Sequence, residues 1–217
     1  MAADTMNNPG TPDRARILAS VREARKRIEQ PMPYPDYPAN VATSAARLPG
    51  EADPVAVFRE RMAEAGGRCF DNVEALAEAL LHGPGRLGYC EPGLLPRLAG
   101  LADAGLTLER DFDRARADDY AFAITTAQAA IAETGTLVIT DAGSPNRLAT
   151  VAPWIHVAVL NPERILGSLA DGIAALPDDP NVVFVTGSSC TADVEGILIR
   201  GAHGPAEQYC LFAGPGS

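Results

Sequence analysis

The 217-residue chain is 47% apolar and 21% charged, the make-up of a globular protein able to bury a substantial core. Its formal net charge of -10 argues against a nucleic-acid footprint, which needs a basic face or stripe. No apolar run approaches the roughly 20 residues of a bilayer span. The opening stretch MAADTMNNPGTPDRARILAS lacks the basic head and apolar core of a secretory signal, so a cytoplasmic location is expected.

In chain order, residues 1–11 carry no structural pattern. Thr11 can cap a helix, Pro12 suits its first turn and Asp13 complements its dipole. Ile17, Leu18, Val21, Ala24 and Ile28 then recur at helical spacing. Four prolines from Pro31 to Pro38 follow, and their extended backbone makes a stiff arm. Residues 1–52 therefore read as an N-terminal helix and proline-rich arm, which packs on the body or on a second copy of the chain.

Residues 53–217 have the alternating rhythm of an α/β domain with largely parallel pairing. Helices are expected at 53–66, 71–83, 92–105 and 161–177, with a short small-residue helix after Thr125 and Thr126. Strands are expected at 86–90, 107–112, 136–141, 154–161, 181–187 and 208–214. Runs such as VVFV and HVAVL suit strands covered on both faces. Four cysteines, Cys69, Cys90, Cys190 and Cys210, stand far apart without a CxxC pair. That spacing offers neither a zinc knuckle nor a cluster-binding run, so free thiols and no metal bound by this chain are expected.

Three stretches carry candidate chemistry. In VFVTGSSCTADVEG (183–196) an apolar strand meets Gly187, Ser188, Ser189 and Thr191 and then an expected helical turn, whose N–H groups suit a polar ligand. The Gly-Lys-Ser/Thr ending of a phosphate loop is missing, and Asp193 and Glu195 would repel a dianion. A capped strand-to-helix turn and a loop for a neutral or mixed-charge ligand both remain open. Cys190 would sit where a helix start lowers a thiol pKa, although simple packing is the commoner fate. In ITTAQAAIAETGTLVIT (124–140), Glu133 stands before a strand, with Thr134 and Gly135 in the turn. It is either a partly buried carboxyl suited to acid–base or nucleophilic work, or an acceptor for the turn's own N–H groups.

In IRGAHGPAEQ (199–208), two glycines and Pro205 frame His203, with Arg200 and Arg147 expected to add positive charge at the same end of the sheet. His156, inside WIHVAVL, reads as a satisfied core or edge histidine, and His82 as a helix-terminal charge. Glu133, the 187–195 loop and His203 are expected to form one site. Parallel strands would put the start of 136–140 opposite the end of 182–187, so their meeting requires an antiparallel pairing or a loop folded back.

In their order, AIAETGTLVI, VAPWIHVAVL and VTGSSCTADVEGILIRGAHGP resemble the LUD domain family of lactate-utilisation protein C, across roughly residues 53–214. The resemblance implies a sheet with helices on both faces, like ribose-phosphate isomerase, glucosamine-phosphate isomerase and CoA transferases. It implies an accessory role in oxidising L-lactate to pyruvate beside partner subunits that carry iron–sulfur clusters. An independent isomerase or acyl/CoA-transferase-like enzyme and a ligand-sensing module are the alternatives, since one fold hosts many chemistries. Glu133 and His203 are the candidate catalytic groups. Thr134, Gly135, Gly187, Ser188, Ser189, Thr191, Asp193, Glu195, Arg147 and Arg200 are the candidate ligand contacts. One departure matters: the family's loop commonly reads Ser-Gly-Pro-Ser, whereas Ser188 stands here for the proline and Cys190 for an often larger residue. The backbone there is freer, and a contact from a larger side chain is missing.

Overall fold

The computed structural model describes residues 12–26, 52–144, 146–179, 181–192 and 198–213. The chain divides into two units, residues 1–42 and 43–217. In the first, α1 (Pro12–Lys26) carries ion pairs one turn apart, Asp13 with Arg16 at 3.2 Å and Glu23 with Lys26 at 3.0 Å. The expected Thr11 cap, Ile28 and the proline arm lie outside the described residues.

The second unit opens with α2 (Pro54–Glu64), where the Asp53 side chain accepts from Val55 N and Pro54 occupies the first turn. Phe58 and Met62, four residues apart, are its buried face. Next come β1 (Arg68–Phe70), α3 (Val73–Leu81) capped by Asn72, and β2 (Leu87–Cys90). A 3₁₀ turn at Leu95–Leu98 runs into α4 (Ala99–Asp103), followed by β3 (Thr107–Glu109) and β4 (Phe122–Thr126). Then come β5 (Ala129–Ile131), β6 (Thr136–Thr140), α5 (Arg147–Val151), β7 (Ile155–Leu160) and β8 (Ile165–Leu166). The chain continues through α6 (Leu169–Ala174), β9 (Val182–Thr186), β10 (Cys190–Ala192), β11 (Leu198–Arg200) and β12 (Glu207–Phe212).

Six strands form one parallel sheet in the order β1-β12-β7-β4-β2-β3. Its centre is buried on both faces, as continuous runs such as IHVAVL require, and apolar except for Thr125, His156 and Gln208 on one of them. Phe122, Ile124, Val157, Val159, Tyr209 and Leu211 pack against α3 and α4. Ala158, Leu160 and Cys210 point the other way, onto Phe58 and Met62 of α2 and Ala130 and Leu137 of the second sheet. Each large side chain so buried stabilises by about 1.5–3 kcal/mol. The second sheet has the order β8-β5-β6-β9, with β6 antiparallel to both its neighbours. A separate hairpin pairs β10 with β11. The chain is thus an α/β protein with a helix-flanked parallel sheet.

Four expected helices differ. Residues 161–177 are a 3₁₀ turn, strand β8 and then α6, because Ile165 and Leu166 pair with β5 and Ser168 starts a new helix with a capping box to Asp171. The alanine-rich stretch after Thr126 is strand β5, even though alanine favours helix. Ala127 N donates to Val159 O and Gln128 N to Val138 O, so pairing overrides propensity. Residues 92–105 form two short helical pieces rather than one helix. After Gly187 the chain enters β10, not a helical turn, so Cys190 is an exposed strand residue without a helix start to activate it.

Candidate functional site

The antiparallel pairing of β6 with β9 sets Thr136 opposite Thr186, so the ETGT turn before one strand and the TGSS turn after the other share one end of that sheet. A chain of hydroxyls joins them: Thr134 to Thr136 at 2.7 Å and Thr136 to Thr186 at 2.7 Å. Both turns press on the end of α2. Gly135, at φ +64°, lies against the backbone of Arg61 and Met62, and Gly187, at φ +66°, against that of Ala65. A Cβ at either position would overlap those atoms, so glycine is required.

Arg200 Nη1 donates to Ser188 Oγ. Ser189 N donates to Pro205 O at 2.8 Å, and Gly201 N donates to Ser189 O at 2.9 Å. These bonds tie the 187–189 turn to the His203 loop just before β12. The cluster therefore sits at the amino-terminal end of the parallel strands, not the carboxyl end expected for a ligand loop. Within it, Glu133 is half-buried and accepts from Leu169 N, the first residue of α6. His203 is exposed, and Thr191 is half-buried in β10 opposite Ile199. Arg147 lies elsewhere: it follows the far end of β6 and its Nε stands 3.1 Å from Asp141 Oδ1, so it does not join Arg200. Asp193 and Glu195 lie outside the described residues.

The carboxyl ends of the parallel strands hold a different arrangement, where open α/β sheets usually bind ligands. Two adjoining cavities of about 240 and 270 Å³ share Leu94, Arg97, Val159 and Ala213 as walls. One extends over Asp71, Asn72 and Phe212, the other over Thr126, Gln128, Asn161 and Arg164. Beneath them Glu91, directly after β2, is buried and accepts from both Thr126 N at 2.8 Å and Thr126 Oγ1 at 2.7 Å. Burial pushes the Glu91 carboxyl above the usual range, while the two Thr126 bonds pull it back. The 270 Å³ cavity thus combines the apolar Leu94, Val159 and Ala213 with an oriented hydroxyl, the side-chain amides of Gln128 and Asn161 and the guanidinium groups of Arg97 and Arg164, while the carboxylates Asp71 and Glu74 line the other cavity. Such a surface suits a small polar acid. None of these groups stood out in the sequence. The available signal was positional, a polar residue at or just after β2, β4 and β7: Glu91, Thr126, Asn161.

The relatives of the chain agree with this architecture. The LUD domain matches residues 97–213. A protein of Deinococcus radiodurans named Lactate utilization protein C is 26% identical over 132 residues, covering 58% of this chain and 60% of its own length. A Bacillus licheniformis protein of the same name is 27% identical over 100 residues, covering 42% of each chain. The chain thus spans about three fifths or less of the length of these curated relatives. A crystal structure of a DUF162 family protein from Deinococcus radiodurans superposes with a TM-score of 0.57, covering 77% of this chain and 100% of that one. At 20% identity that likeness speaks for the fold alone. With more than half of its length matched by the family's defining domain, the chain belongs to the LUD domain family.

Proposed function

We propose that the protein serves in lactate utilisation, as an accessory subunit of a system that oxidises L-lactate to pyruvate through iron–sulfur partner proteins. The names of its relatives support the lactate role. In this reading the carboxyl-edge cleft takes a small carboxylic acid of the lactate or pyruvate kind. Arg97 and Arg164 meet the carboxylate, Thr126, Gln128 and Asn161 meet the second oxygen, and Leu94 and Val159 meet the methyl group. The observation that carries the ligand assignment is the Glu91–Thr126 pair, which fixes a hydroxyl at the carboxyl edge beside two cationic side chains. Exposed Phe184 on edge strand β9, with exposed Leu198 and Ile199 on the hairpin, supports work within an assembly.

Glu91 also favours a second reading, in which this chain itself moves a proton, because a buried carboxyl of raised pKa is a better base than an exposed one. Affinity capture of the full chain from lactate-grown native cells, read by mass spectrometry, separates the two. Recovery of an iron–sulfur protein is the expected result. A solitary chain that turns over an acyl-CoA or sugar phosphate overturns the accessory role.

A further inference from the structure

Cys69 in β1 and Cys210 in β12 are register partners on adjacent parallel strands. Such partners project from the same face, and neighbouring strands lie roughly 4.8 Å apart. That spacing falls within the Cα separation of roughly 4.4–6.8 Å that a disulfide can bridge. The two thiols differ in access: Cys69 is half-buried, whereas Cys210 is sealed beneath the sheet face that packs on α2. Cys69 Sγ also lies 3.7 Å from Met62 Sδ, and Arg59 reaches across the same corner to stack on Phe212.

We propose that Cys69 and Cys210 form a peroxide-responsive dithiol, with Cys69 as the attacking sulfur and Cys210 as the resolving one. The Cys69 thiolate attacks one peroxide oxygen, the O–O bond breaks, and the departing hydroxide takes up a proton to leave as water. Cys69 is then a sulfenic acid. The Cys210 sulfur attacks the Cys69 sulfur, the S–O bond breaks, and the hydroxyl leaves as water with the Cys210 proton. Two thiols and one hydrogen peroxide thus give one disulfide and two waters, a two-electron oxidation.

The electrostatics divides the roles in the same way. The neighbouring Cys210 thiol holds Cys69 below the ordinary thiol range against the opposing cost of burial; the Arg59 charge adds to this and the Asp71 carboxylate paired with it opposes. Burial pushes Cys210 well above that range, so it keeps its proton until a sulfenic acid forms beside it. Cys90, buried and pushed up to about 12, takes no part. Cys190 is exposed on β10 and is the competing site for reagents.

The test uses the full chain carrying Cys190→Ser, titrated with hydrogen peroxide in the presence of a metal chelator, then denatured, alkylated and weighed intact. The expected result is a loss of two hydrogens, alkylation of a single thiol, a cross-linked peptide pair containing Cys69 and Cys210, and full reversal by dithiothreitol. Adding Cys210→Ser should leave Cys69 as a sulfenic acid that dimedone captures, and Cys69→Ser should abolish the cross-link. Oxidation of the parent to a sulfinic acid without the cross-link overturns the proposal. So does a Cys210→Ser protein in which dimedone labels nothing, and the parent chain alone decides the matter should either variant fail to fold.

Discussion

His156 is fully buried in the central strand β7, between Thr125 of β4 and Gln208 of β12. Gln208 Nε2 donates to Tyr209 O, so its Oε1 is the acceptor facing His156 Nδ1 at 2.8 Å. The imidazole therefore carries its proton on Nδ1, and Nε2 accepts from Thr125 Oγ1 at 2.9 Å. Burial holds the ring neutral, with its pKa lowered to about 4 against the opposing pull of Gln208. Between the ordinary 6.5 and about 4, the unfolded chain binds a proton that the folded one refuses. Stability should fall by up to about 1.4 kcal/mol per pH unit as pH drops through that window. Urea titrations at pH 7 and pH 5 measure this slope. His156→Ala strands two buried partners and opens a cavity, which should cost about 2–5 kcal/mol. The same experiment on Glu91 separates its two roles. Glu91→Gln keeps an oxygen for Thr126 and should preserve both folding and ligand affinity, while Glu91→Ala should lose about tenfold in affinity, the worth of one hydrogen bond of about 1.4 kcal/mol. A Glu91→Gln protein that binds normally yet loses turnover favours proton transfer. His156 was legible in sequence because an apolar strand surrounded it. Glu91 was not, since its partner Thr126 lies 35 residues away and meets it only through the pairing of β2 with β4.

At the scale of elements, β2, β3, β7 and β12 of the parallel sheet were readable between polar turns, whereas β1, only three residues long, and β4, which runs straight into the alanine-rich stretch, were not expected as strands. What periodicity hid was the identity of the segments that feed the second sheet. An alanine-rich stretch and the NPERIL segment both favour helix locally, and pairing with β6, itself held by β9, and with each other draws them into strand. The antiparallel β6–β9 pair is also what brings the Glu133 turn and the Gly187 turn to one end, a condition the sequence could state without supplying it. Glu133 turned out to serve the start of α6. These turns depend on glycine. Gly187→Ala would force a side chain into the left-handed region and onto the Ala65 carbonyl oxygen, and should destabilise by at least about 2 kcal/mol. Thermal unfolding of Gly187→Ala beside an exposed control, Gly93→Ala, where nothing stands near a new Cβ, checks that claim.

On the scale of the whole molecule, the division into residues 1–42 and 43–217 carries a prediction for the arm. Removing residues 1–42 should leave the thermal midpoint of the rest unchanged while altering solution mass or partner capture, as light scattering and pull-down will report. Loss of folding on truncation would instead make the arm part of the core. The two ends of the parallel sheet now hold two candidate sites, the cluster around Gly187 and His203 and the cleft around Thr126, and the proposed ligand distinguishes them. Backbone amide chemical shifts of the isotope-labelled full chain, followed by NMR as L-lactate or pyruvate is added, test this most directly. Saturable shifts are expected at Thr126, Gln128, Asn161, Arg164 and Ala213, with Thr134, Gly187 and His203 still. Shifts confined to the Gly187 and His203 end, or no saturable shift with either acid, would contradict it.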